Sequence, residues 1–111
     1  MATPDDPLRL GHMLEAARKA VQFLAGRDRA ELDRDEMRAL AVIRLIEIIG
    51  EAARLVSPEF RGQHLEIEWT LIIAARNRLT HGYAEVDLGV VWEIVRDDLP
   101  PLIARLENLT K

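Results

Sequence analysis

The sequence contains no cysteine, which excludes disulfides and thiolate-held metals and fits a cytoplasmic protein. Aromatic residues are scarce: Phe23, Phe60, Trp69, Tyr83 and Trp92 are the whole set. An interior filled mostly by Leu, Ile, Val and Ala suits packed helices better than a sheet. No apolar run approaches the roughly 20 residues of a membrane span, and the polar, acidic stretch from Met1 to Pro7 has no signal-peptide character. The histidines His12, His64 and His81 lie in unrelated segments, so no metal-ligand spacing is visible. An excess of positive charge is also lacking. The formal net charge is -4 and the isoelectric point about 5.4, which argues against a protein that coats nucleic acid at large.

What is present fits one domain over residues 1–111. The spacing of Leu10, Leu14, Ala17, Val21 and Leu24 predicts a helix over about 6–24, stopped at Gly26. Arg27 to Arg34 reads as a charged link. A second helix is expected over 35–56, with Asp33 or Asp35 as its cap. It is apolar over well over half its circumference, while Arg44, Glu47, Glu51 and Arg54 form one narrow polar stripe. Such a helix needs neighbours on more than one side, either as the centre of a bundle or as part of a dimer interface. Ser57-Pro58 breaks the chain, and a loop through Phe60, Gly62 and His64 follows. A third helix is expected from near Ile67 to Thr80 or His81, ended by a left-handed Gly82. Asp87 reads as the cap of a fourth, with a kink or restart at Pro100-Pro101. The fold expected is all-α, an antiparallel four- to five-helix bundle.

Between Trp69 and Ala84 there is no Asp or Glu, while Arg76, Arg78 and His81 all occur. On a continuous helix Asn77 and His81 would be one turn apart and neighbours. Cleaving RNA without a metal needs a base for the ribose 2′-hydroxyl, an acid for the leaving oxygen and a cation for the phosphoryl charge. His can fill either proton-transfer role, and Arg grips phosphate through two parallel hydrogen bonds. A two-fold dimer would bring two such pairs into one cleft.

The run Arg76-x4-His81-x-Tyr83 resembles the motif of HEPN proteins, and of the HepT-type toxins among them. The similarity continues in Ile46-Glu47-Ile48-Ile49-Gly50-Glu51-Ala52-Ala53, in Ile67-Glu68-Trp69, and in Val86-Asp87-Leu88, Val91-Trp92-Glu93 and Asp98-Leu99-Pro100, covering about residues 8–109. Ala74-Ala75 stand where the family more commonly has a Gly-Met-like pair. The resemblance implies a HEPN-like homodimer that cuts RNA without metal or cofactor at a composite site, leaving a 2′,3′-cyclic phosphate and a 5′-hydroxyl. It implies His81 as general acid/base, Arg76 as stabiliser of the transition state, and Tyr83 as acceptor of AMP from a minimal nucleotidyltransferase antitoxin. It also leaves a second reading, a non-catalytic HEPN partner of such a nucleotidyltransferase that binds nucleotide or protein.

Each residue also has a plainer role. His81 could cap a helix on a carbonyl. Arg76 could pair with the Glu47/Glu51 stripe, and that pairing could equally orient it for chemistry, with Glu47 and Glu51 then lining the cleft. Asn77 could orient His81 or simply face water. Arg78, on a different face from Arg76, suits solvent or the RNA backbone. Tyr83 could pack beneath its loop, and Trp69 and Trp92 suit core or interface better than base stacking.

Overall fold

The computed structural model describes residues 4–81 and 85–110, with the backbone alone at Thr80 and His81. Helix α1 spans Asp6–Leu24 with Pro7 in its first turn, where a missing N–H costs nothing. Its buried apolar side is Leu10, Met13, Leu14, Ala16, Ala17, Ala20 and Leu24, the expected stripe with Met13, Ala16 and Ala20 added and Val21 only partly buried. Gly26 follows with φ 73°, a left-handed conformation that glycine adopts without strain.

The segment read as a charged link is in fact a helix, α2 (Arg29–Arg34), capped by Asp28, whose carboxylate accepts from Glu31 N at 2.9 Å. Six residues with one buried anchor, Leu32, are too few to show a period. Helix α3 (Glu36–Leu55) begins at the Asp35 cap, which accepts from Arg38 N at 3.1 Å and Arg38 Nε at 3.0 Å. Arg38 also donates to Phe23 O at 2.8 Å, tying the start of α3 to the end of α1. At the opposite end Asp6, fully buried, accepts from Ser57 N at 2.9 Å and Ser57 Oγ at 2.7 Å. Head therefore meets tail twice, and α1 and α3 run antiparallel. Ser57 in turn accepts from Phe60 N and starts α4 (Pro58–Gln63). The expected loop is thus a short helix, because Ser57-Pro58 begins one as well as ending one.

The greatest departure lies around the basic segment. The single helix expected to reach Thr80 or His81 is two short ones, α5 (Trp69–Ile73) and α6 (Ala75–Leu79), broken at Ala74. Thr80–His81 then form strand β1, antiparallel to β2 (Glu85–Val86), with His81 opposite Glu85. Asp87 N donates to Leu79 O at 2.6 Å. That contact occupies a carbonyl that a continuing helix would have bonded to residue 83, so the chain turns instead. Gly82, expected as the left-handed stop, lies outside the described residues.

Asp87 caps α7 (Leu88–Glu93) through Gly89 N and Val90 N, as expected. A π-helical turn (Ile94–Asp98) leads into α8 (Leu99–Leu109). Pro100 and Pro101 have no N–H and would crowd the preceding turn of a regular helix; the wider turn, with Leu99 N bonded to Ile94 O, accommodates them. Arg18 meets Glu107 at 2.6 Å while Val21 and Leu24 lie near Trp92 and Val95, so α8 runs antiparallel to α1. The four legs α1, α3, α5–α6 and α7–α8 form an all-α bundle. Helix α3 touches α1, α2, α5, α6 and α7, which makes it the central helix. Trp69 is buried, donates to His64 O at 2.9 Å and meets Phe60 edge-on; Trp92 packs half-buried on the core. Among the described residues no helix is long and apolar enough to cross a membrane.

Candidate active-site groove

Helix α3 passes beneath α5 with unusual closeness at Gly50. A Cβ placed there would stand 3.0 Å from Ile72 O and 3.6 Å from Ile73 O. Glycine lets the two backbones meet at this distance without crowding, and that contact sets α6 beside the polar stripe of α3. Between them lies an open groove of about 290 Å³, with Ile46, Glu47, Gly50, Glu51 and Arg54 on one wall and Ile73, Arg76 and Asn77 on the other.

Across this groove Arg76 Nε meets Glu47 Oε2 at 3.2 Å. The carboxylate is largely sheltered, its side chain 23% exposed, whereas the arginine is 72% exposed. The pair anchors the guanidinium from the protein side and leaves it in reach of a phosphate from solvent. Arg44 lies 3.3 Å from Glu51 and 3.9 Å from Glu47, so both acids of the groove face a cation. Four residues singled out in the sequence, Arg76, Asn77, Glu47 and Glu51, are thus brought together.

Others are not. Arg78 turns away and pairs with Asp98 at 3.2 Å, beside a separate cavity of about 260 Å³ between α3, α5 and the α7–α8 leg. His81 stands on β1, two residues beyond α6. Asn77 and His81 are therefore not on one continuous helix, which ends at Leu79, and the His81 side chain is outside what the structure describes. Tyr83 lies outside the described residues. Gly50 and Arg54 were not singled out as site residues. A lone glycine inside an apolar helix signals close backbone approach, and Arg54 shares the stripe of Glu47 and Glu51. Among the described residues no group of three or more His, Cys, Asp or Glu could hold a metal.

Comparison with known proteins places the chain in a family. The family model "Ribonuclease HepT-like" matches residues 13–109. The chain belongs to the HepT-like ribonuclease family, a group of HEPN proteins. It is 34% identical over 107 residues to a protein of Methanocaldococcus jannaschii named as a candidate RNase, spanning 96% of this chain and 98% of that one. It is 40% identical over 77 residues to a protein of Thermococcus cleftensis named "probable ribonuclease HepT", spanning 69% of this chain and 70% of that one. A further candidate RNase, from Caldanaerobacter subterraneus subsp. tengcongensis, is 28% identical over 100 residues, 90% of this chain and 89% of the other. No solved structure matches.

Proposed function

We propose that this protein is the toxin of a toxin–antitoxin pair, an endoribonuclease that cuts RNA without a metal ion. The observation that carries the reading is the exposed Arg76, held by Glu47 on an open groove and followed at the motif spacing by His81 and Tyr83. Arg76 binds the scissile phosphate and stabilises the charge that grows on its oxygens. An imidazole acting as base takes the 2′-hydroxyl proton, O2′ attacks phosphorus, and the 5′-oxygen leaves with a proton from an acid. The products are a 2′,3′-cyclic phosphate and a 5′-hydroxyl. One His81 per chain supplies one proton-transfer group, so a homodimer with both motifs in one cleft completes the acid and base. The partner that silences it is a minimal nucleotidyltransferase antitoxin in the same cytoplasm. AMP placed on Tyr83 would add negative charge and bulk where RNA phosphate binds.

The test is induced expression of wild type, His81→Ala and Arg76→Ala without an antitoxin, with purified protein assayed on RNA in the presence of EDTA. Wild type is expected to arrest growth and cut RNA. The His81 variant should be slower by about 10²- to 10⁴-fold and the Arg76 variant by about 10²- to 10³-fold. Equal growth and intact RNA in all three would replace this reading with that of a non-catalytic partner of a nucleotidyltransferase.

A further inference from the structure

The α3 wall of the groove continues past Glu51 to Arg54, which lines it on the same face. The charges here divide into two sets. Glu47 is engaged by Arg76 with Arg44 behind it, and Glu51 is engaged by Arg44. Arg54 is exposed and, among the described residues, has no hydrogen-bond or ion-pair partner. The two acids of the groove are already matched by Arg76 and Arg44, so among the described residues of its lining Arg54 is the cation left over. Arg54 is seven residues from Glu47, about 10 Å farther along the helix axis. That displacement suits a second site on the same extended ligand better than a second grip on the same phosphate.

We infer that Arg54 binds a backbone phosphate of single-stranded RNA, one or two nucleotides away from the phosphate held at Arg76. The inference rests on the ribonuclease reading above and extends it from the scissile bond to the strand on one side of it. Among the described residues the groove lining offers no aromatic ring for a base to stack on, so the contact is with the backbone and is indifferent to sequence. A phosphate contact of this kind positions the strand, and its loss shows as weaker binding with a shallower salt dependence.

The experiment measures binding of a single-stranded RNA of about a dozen nucleotides to the His81→Ala protein, chosen because its cutting is expected to be slow, with and without Arg54→Ala, across a salt series. Arg54→Ala should weaken binding by about tenfold and reduce the slope of log K against log salt by about 0.7. Arg54→Lys should restore most of the slope. In the cutting-competent protein the same change should raise KM by a similar factor, with kcat holding. The melting temperature should not move, since Arg54 is exposed. Unchanged affinity and slope would overturn the inference. So would a fall in melting temperature with binding intact, which would mark Arg54 as a cation that complements the negative end of α3. If wild type cuts RNA and Arg54→Ala matches it throughout, the Arg54 inference alone fails. If the protein neither binds nor cuts RNA, the ribonuclease reading fails with it.

Discussion

Asp6 and Glu47 are both carboxylates that join one helix to another, and they differ in nearly everything else. Asp6 is fully buried and takes two hydrogen bonds from Ser57, 51 residues away in sequence. Glu47 is partly exposed and forms an ion pair with an arginine that is mostly in water. Burial makes the first contact costly to break, because the donors it satisfies have no water to turn to. Exposure makes the second nearly neutral for stability, because solvent compensates either side chain when the pair opens. One joint holds the antiparallel α1–α3 pair together. In the proposed mechanism the other aims a guanidinium whose exposed side stays open to a phosphate.

The largest effect expected from this contrast is on stability. Asp6→Ala leaves Ser57 N–H without its acceptor and should cost about 3 kcal/mol. In a chain of this size that is a drop of roughly 15 °C in melting temperature, readable by thermal denaturation. A loss of less than a few degrees would mean that the α1–α3 joint is held by apolar packing alone. Asp6→Asn, which keeps an acceptor in place, should recover part of the loss.

Gly50→Ala is the next largest and couples the two regions. The added methyl would press on Ile72 O, 3.0 Å from the Cβ position, at a cost of about 1–3 kcal/mol from overpacking. Alanine gives back up to about 1 kcal/mol of helix propensity, so a modest net loss is expected. Because α5 carries α6 with it, RNA cleavage should fall more than stability does. A net gain in stability with full activity would show that α3 and α5 can part without disturbing the groove.

Glu47→Gln separates aim from stability most directly. Stability should change by less than about 1 kcal/mol, while cleavage should drop by roughly ten- to a hundredfold as the guanidinium loses its fixed direction. Measuring kcat and melting temperature on the same preparation checks both halves. If this variant instead lost as much stability as Asp6→Ala, the two carboxylates would be playing the same role.

Much of this was readable from the sequence wherever an element is long. The α1 stripe and the broad apolar surface of α3 announce themselves by period, and Asp35 and Asp87 by cap chemistry. Helices α2 and α4 were not, because six residues hold too little periodicity. The break at Ala74 and the strand at His81 depend on a bond between Leu79 and Asp87, and the Asp6–Ser57 joint on a contact across most of the fold; local patterns carry no trace of either. In the groove, the polar stripe of α3 and the arginine of α6 could be paired in advance by charge alone. That Arg54 would be left over, and that Arg78 would turn to Asp98, needed the distances.

The smallest effect concerns a third carboxylate, which has a cap to make and no groove to serve. Asp35 accepts from the backbone N–H of Arg38 and from its guanidinium, and these bonds hold its carboxyl below the ordinary Asp range. A lowered folded value means that the proton binds more readily to the unfolded chain. The stabilisation is therefore complete above the unfolded value of about 3.9 and is lost as pH falls through the lowered folded one. Asp35→Asn keeps an oxygen for Arg38 N–H but has no proton to gain. The difference in melting temperature between wild type and this variant should accordingly be flat from neutral pH to about pH 5, then shrink on further acidification. A difference that stays constant into strong acid would show that the charge on Asp35 contributes nothing and that the cap works through hydrogen-bond geometry alone.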